Sequence, residues 1–242
     1  MFLPLDKEEY EFYDPSLGKT HFCKFPELRS PHMRYSRDGW LLMHDSFGNN
    51  NTFFFNPFTH ERIQVAWPHL YLSDAVAFSC APTSSSCVIF SVWDITNTLI
   101  TIGTYRPAIR ERTTSFFPNK LPLGQRGFEH VVFSNGVFYC LTKSGCLGMF
   151  DLSKSSWNLL PRRLPKRLEA SLCFMTEYEG DIYLVYSHGH QKPTYLRLDL
   201  KNRKWTEKIR FPGLTFYLGF QSAVTTNRDL VDIPKGESKL FV

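Results

Sequence analysis

Tyr195-Leu-Arg-Leu-Asp199-Leu-Lys-Asn-Arg-Lys-Trp205 is the stretch that decides the fold of this 242-residue chain. Tyr195, Leu196, Leu198 and Leu200 are apolar or aromatic, with polar residues between them. A polar segment, 201–204, follows, and Trp205 opens a second alternating run. This pattern predicts a strand, a tight turn begun by Asp199, and a return strand carrying a large aromatic. The pattern has a copy at Met149-Phe-Asp151-Leu152, with 153–156 as the turn and Trp157 on the return. Six positions separate Asp from Trp in both copies, which lie 48 residues apart. Two periods earlier, Asn56 begins the turn in Phe53-Phe-Phe-Asn-Pro-Phe-Thr-His-Glu-Arg62, and one step before that stands Tyr13-Asp14-Pro15-Ser-Leu-Gly18. A period of 42–48 residues predicts an array of similar supersecondary units.

Between these landmarks the chain reads as short strands and polar turns. One unit spans Met33–Ser36, Trp40–Met43, Thr52–Phe55 and Ile63–Trp67. The next spans Asp74–Cys80, Cys87–Trp93, Leu99–Tyr105 and Thr113–Phe117, with Arg106-Pro107 where the period predicts the turn residue. The third takes Glu129–Phe133, Val137–Thr142, Cys146–Leu152 and Trp157–Leu160. The fourth takes Ala170–Thr176, Asp181–Tyr186 and the opening hairpin. Gly39, Gly136 and Gly180 each precede the second strand of their unit, which supports the repeat independently. No convincing amphipathic helix is present.

Four strands per 40–50 residues is the pattern of a β-propeller blade. A four-stranded sheet has two apolar faces and buries both only when sheets pack radially. The expected fold is therefore all-β: one β-propeller-like domain over 1–242, with about four complete blades plus partial terminal strands. Trp67, Trp157 and Trp205 are expected in the wedges between blades. The chain opens with what resemble third and fourth blade strands. It closes with what resemble a first (Leu214–Val224) and a second (Lys239–Val242), so the termini are expected to share a blade, the alternative being a truncated ring with missing strands. The first nine residues read as a flexible start.

Composition agrees with this class. Aromatics make up 16% of residues, with 22 Phe and 11 Tyr, which favours strands over helices. The net charge of +5 is too small, without a reading element, to indicate nucleic-acid binding. No apolar run approaches the ~20 residues of a membrane-spanning helix. The six cysteines, at 23, 80, 87, 140, 146 and 173, include no Cys-x-x-Cys pair. The opening Met-Phe-Leu-Pro-Leu-Asp-Lys-Glu-Glu lacks the basic and apolar regions of a signal peptide. A cytoplasmic or nuclear protein with reduced thiols is expected.

Each motif that suggests chemistry has a plainer reading. Gly18-Lys19-Thr20 lacks the glycine that a phosphate loop needs at position 13 and precedes a strand, so it reads as a turn. Ser187-His188-Gly189-His190 offers two imidazoles without a third ligand. Arg162-Arg163-Leu-Pro-Lys166-Arg167 reads as a solvated connector, with nuclear import as the alternative. Cys140 and Cys146 lack a partner base and read as core thiols. Asn50-Asn51-Thr52 has the form of a glycosylation acceptor, which is idle in a cytosolic protein. Asp14, Asn56, Asp151 and Asp199 recur by period and so cap turns rather than catalyse. No catalytic, cofactor-binding or metal-binding residue is assigned, and the partner-binding residues are not identified.

Arg34-Tyr-Ser-Arg-Asp-Gly-Trp-Leu-Leu-Met43, Phe53-Phe-Phe-Asn-Pro-Phe-Thr-His-Glu-Arg-Ile63, Tyr13-Asp-Pro-Ser-Leu-Gly-Lys-Thr20, Gly127-Phe-Glu-His-Val-Val-Phe133 and Tyr195-Leu-Arg-Leu-Asp-Leu200 carry a resemblance. Together they resemble the plant DUF295 proteins, commonly described as F-box/kelch-repeat proteins. The resemblance covers most of the chain. It implies a substrate-receptor role in a cullin-RING ubiquitin ligase, in which an F-box docks on the Skp adaptor and the propeller captures a target. Two departures accompany it: nothing before Tyr10 could form an F-box, and the Gly-Gly doublet of kelch repeats is absent. The expected partner is a protein target, with the Skp adaptor engaged only if an F-box is supplied elsewhere. Membrane is excluded and nucleic acid disfavoured. The expectation is thus a non-enzymatic interaction propeller binding through one rim. The alternatives are a propeller enzyme or small-ligand binder using the central channel, and a truncated family member without ligase function.

Overall fold

Pairing registers in a computed structural model give the architecture. It describes residues 2–4, 9–14, 19–26, 28, 32–45, 51–67, 75–94, 96, 98–121, 127–142, 144–160, 164, 171–188, 192–208, 214–219, 222–227 and 239–240. After β1 (Phe2–Pro4), β2 (Glu9–Asp14) and β3 (Lys19–Lys24), blade I holds β4 (His32–Arg37), β5 (Trp40–Asp45), β6 (Asn51–Phe55) and β7 (Arg62–Val65). Blade II holds β8 (Ala75–Phe78), β9 (Ile89–Asp94), β10 (Leu99–Arg106) and β11 (Glu111–Pro118). Blade III holds β12 (Phe128–Ser134), β13 (Val137–Thr142), β14 (Leu147–Asp151) and β15 (Ser156–Leu159). Blade IV holds β16 (Ser171–Tyr178), β17 (Asp181–His188), β18 (Thr194–Asp199) and β19 (Lys204–Lys208). All four are antiparallel meanders, and the first strands β4, β8, β12 and β16 approach one another in sequence around a common axis. The chain is an all-β propeller whose four complete blades are the four units of the repeat.

The blades stack through apolar clusters, each built from two consecutive sheets. Leu41, Met43, Phe53 and Phe55 of blade I meet Tyr10, Phe25 and Leu28 from the N-terminal side. The intervening Trp40, Leu42 and Phe54 meet Phe78, Ile89 and Tyr105 of blade II. Phe53, Phe54 and Phe55 are consecutive and all fully buried, because successive strand residues point to opposite faces and both faces are covered. Each such side chain contributes about 1.5–3 kcal/mol by leaving water. The same division recurs between blades II and III, around Phe90, Phe138 and Phe150, and between III and IV, around Leu141, Leu147, Leu184 and Leu196. Trp67, Trp157 and Trp205 occupy the I/II, II/III and III/IV wedges, as the repeat predicts. The fit is close: a Cβ on Gly148 would collide with the edge of the Trp157 ring at Cη2 and Cζ2, and one on Gly103 would lie 2.8 Å from Trp67 Cζ2.

The terminal strands depart from expectation. The N-terminal sheet is β1 (Phe2–Pro4), β2 (Glu9–Asp14) and β3 (Lys19–Lys24), with β2 in the middle. The first nine residues, expected as a flexible start, therefore contain a strand. The segment expected as one strand, 214–224, divides into β20 (Leu214–Gly219) and β21 (Ser222–Asn227), which pair antiparallel from Gly219↔Ser222 outward. A short β22 (Lys239–Leu240) joins β20 on its other edge, in parallel. The termini thus form two separate sheets rather than one shared blade. The reason is local: β1 takes the side of β2 that a shared blade would need, and β20 is flanked on both sides.

Candidate functional site

The first-to-second and third-to-fourth strand hairpins of every antiparallel blade open on the same end of the molecule. Gly39 and the Phe58 ring, from the two hairpins of blade I, meet there. Blades I, III and IV make the first connection with two-residue turns, Asp38-Gly39, Asn135-Gly136 and Glu179-Gly180. All six residues have positive φ, the primed geometry that matches strand twist and makes glycine the natural second residue.

The third-to-fourth connections repeat a capped turn. Asn56 Oδ1 accepts the Phe58 and Thr59 N–H groups at 2.9 and 3.3 Å. Asp151 Oδ1 accepts the Ser153 N–H at 2.9 Å and its hydroxyl at 2.7 Å. Asp199 Oδ1 accepts the Asn202 N–H at 2.9 Å. Hydrogen bonds from Ser153 and Lys154 hold the Asp151 carboxyl down at about 2, and those from Asn202 lower that of Asp199. Four residues after each cap, His60, Ser155 and Arg203 lie in the left-handed region. None is glycine, so nothing in their identity announces this. Arg110 does the same after Arg106 in blade II, where the 3-10 turn Pro107–Ile109 replaces the polar cap.

At this end of the axis one side chain joins three blades. Arg37, the last residue of β4, donates from Nη1 to the Phe133 carbonyl of β12 at 2.7 Å. Its Nη2 reaches Glu177 Oε2 of β16 at 3.5 Å, and the guanidinium lies over the Phe133 ring. Glu177 Oε1 accepts the Gly180 N–H at 2.8 Å, and the Ser134 hydroxyl donates to the Gly180 carbonyl at 3.1 Å. Tyr35 packs edge-on against Phe78 beneath this bridge, and burial raises its phenol against the lowering influence of Arg37. The axial space between these strands is therefore spanned by a single arginine and its partners. The motif Arg34–Met43 contains Arg37, but its partners lie 96 and 140 residues away and carry no sequence signal.

Blade II differs from the others on this rim. Its first hairpin is not a two-residue turn but the loop 79–88. Its second carries Ile109, 65% exposed, beside the cap Arg110. On the neighbouring blade I, Phe58 is 70% exposed. A polar cleft of about 370 Å3 opens on blade IV, lined by Asp181, Arg197, Leu198, Asp199, Leu200 and Thr206. There Arg197 Nη2 pairs with Asp181 Oδ2 at 2.6 Å.

The residues considered for chemistry separate plainly. Cys140 is fully buried, and burial pushes its thiol well up. Cys146 is buried in a turn where its N–H donates to Thr142 Oγ1 at 2.9 Å. Cys146 lies across from Thr142, and Cys140 pairs with Gly148, so the two thiols are not joined. Burial also raises Cys173, with Glu129 adding to the effect. The side chain of Asp14, residue Gly18, the 189–190 and 161–163 segments and 165–167 lie outside the described residues, as does Asn50. Among the described residues no group of three His, Cys, Asp or Glu side chains is arranged to hold a metal ion. No helix among them is long and apolar enough to cross a membrane.

Comparison with known proteins places this architecture. The family model described as the KIB1-4 beta-propeller matches residues 12–236. An Arabidopsis thaliana F-box protein is 47% identical over 210 residues, covering 87% of this chain and 57% of the relative. A second F-box protein of that plant is 37% identical over 225 residues, covering 90% of this chain and 46% of the relative. An F-box/kelch-repeat protein, also from Arabidopsis thaliana, is 36% identical over 228 residues, covering 92% of this chain and 64% of the relative. The chain spans roughly half to two thirds of the length of these relatives. Its four stacked blades and a match over nearly its whole length carry one conclusion: the chain belongs to the KIB1-4 beta-propeller family.

Proposed function

We propose that the chain is a protein-binding propeller that captures a target for ubiquitination, acting by recognition and not by chemistry of its own. What supports this most is the axial bridge of Arg37, Phe133 and Glu177. It spans the axis at this end with groups already engaged by one another, and the rim loops are then the surface offered for recognition. The relatives named F-box proteins support the link to a ligase, with the Skp adaptor reached through an F-box rather than through these blades. On this reading the target meets blade II, whose 79–88 loop and Pro107–Ile109 turn are what the repeat does not dictate. The protein would work in the cytoplasm or nucleus.

The test is affinity purification from plant cells of the chain and of a variant with 79–88 replaced by an Asn-Gly turn. Loss of a stoichiometric partner from the loop variant, with its circular dichroism unchanged, is the expected result. That partner's lifetime should also lengthen when the chain is removed. A partner retained by the loop variant, or whose turnover ignores the chain, would reject the reading.

A further inference from the structure

We propose that Cys80 and Cys87 form a reversible redox pair, joined by mild oxidation into a disulfide across the neck of the 79–88 loop.

The register of blade II places them. Phe78 pairs with Ile89 in the β8–β9 ladder. Beyond it, the Ser79 N–H donates to the Val88 carbonyl at 3.0 Å, and the Val88 N–H donates back to Ser79 Oγ at 2.9 Å. One further step sets Cys80 opposite Cys87. The regular ladder ends at Phe78 and Ile89, so Cys80 and Cys87 flank the last rung, and the Cys87 thiol lies within hydrogen-bonding reach of the Cys80 side chain. Two thiols held in such contact across the neck of a hairpin meet the separation a disulfide needs, Cα atoms about 4.4–6.8 Å apart. The rest of the loop is already closed by turns, Ser84 N–H to the Ala81 carbonyl at 3.0 Å and Cys87 N–H to the Ser84 carbonyl at 3.1 Å. Both cysteines are free thiols.

Their surroundings divide the roles. Cys80 is half-buried, with Ser86 Oγ 3.6 Å and Ser79 Oγ 3.8 Å from its sulfur. Cys87 is fully buried, and burial followed by the neighbouring Cys80 pushes its thiol up to about 12. Cys80 is therefore the sulfur that meets an external oxidant, and Cys87 the one that resolves it. With glutathione disulfide, the Cys80 thiolate attacks one glutathione sulfur and expels a first glutathione. Cys87 then gives up its proton and attacks Cys80 Sγ, expelling the second. Two protein thiols are oxidised, one glutathione disulfide is reduced to two glutathiones, and the two protons end on those glutathiones. The bond would close 80–87 into a covalent ring on the rim.

The experiment equilibrates the full chain across glutathione/glutathione-disulfide ratios, quenches with acid, alkylates the remaining thiols and maps peptides without reduction. The expected species has four alkylated cysteines out of six, with an internal 80–87 cross-link that dithiothreitol removes. Cys80→Ser and Cys87→Ser should each abolish it, and Cys140→Ser should leave it intact. Alkylation of all six thiols at every ratio would overturn the proposal, as would a stable glutathione adduct on Cys80 beside free Cys87. A cross-link between any other pair would do the same.

Discussion

Replacing Arg37 with Met tests whether the propeller axis is held as described. The substitution keeps a long side chain and removes the charge and donors. Lost first is the 2.7 Å bond to the Phe133 carbonyl, a charge-assisted bond worth about 1.5–3 kcal/mol. The Glu177 contact, at 3.5 Å, is at the limit of a hydrogen bond and adds only about 0–1 kcal/mol. Loss of the guanidinium from the Phe133 face costs a further ~0.5–1 kcal/mol. Against these stands a gain. Arg37 Nε is buried without a hydrogen bond, Asp38 lying 3.7 Å away, and removing such a group returns about 1 kcal/mol. The net expectation is a destabilisation of about 1–4 kcal/mol, centred between 2 and 3. In urea, followed by tryptophan fluorescence, that lowers the midpoint by about 1 M at the slopes usual for domains of this size. A double-mutant cycle with Glu177→Gln, which keeps the acceptor for Gly180, isolates the cross-axis pair. A loss below ~0.5 kcal/mol in Arg37→Met would refute the bridge, since no arrangement of these contacts sums to so little.

Other perturbations have equally definite outcomes. Gly148→Ala forces Trp157 out of its seat and should cost about 1–3 kcal/mol by chemical denaturation, recovered in part by Trp157→Leu. The folded Asp151 carboxyl titrates near 2, below its ordinary value, so its stabilisation is complete above about pH 4 and lost as pH falls toward 2. The Tm advantage of the parent over Asp151→Asn should therefore shrink across that window. Burial, opposed by Glu129, lowers His130. The unfolded chain then takes up the proton first, and stability should decline as pH falls below ~6.5. That decline should be shallower in His130→Gln, as read by Tm in matched buffers.

The blades themselves were legible because the signals that make them are local. Alternation gives strands, Asp-to-Trp spacing gives hairpins, and Gly39, Gly136 and Gly180 mark turns within a few residues of the strands they join. The single-strand reading of 214–224 failed because its alternation continues across the hairpin, and hydrophobic pattern alone does not record a reversal. The left-handed residues His60, Arg110, Ser155 and Arg203 escaped notice for another reason. Their conformation is imposed by the closure of the ladder on both sides, not by their own side chains.

The chain by itself determined a repeating four-stranded unit, the number of complete units, the residues that cap their turns and the tryptophans that wedge them apart. Each follows from hydrogen bonding and burial over spans of a few residues. Tertiary structure decided how the units use one another. Arg37 finds partners 96 and 140 positions away only because radial stacking brings β4, β12 and β16 to one axis. Cys80 and Cys87 come together only because the β8–β9 hairpin closes on itself beyond its last ladder pair. The termini stay in separate sheets, since β2, which a shared blade would need to pair, already carries β1 and β3 on its two sides.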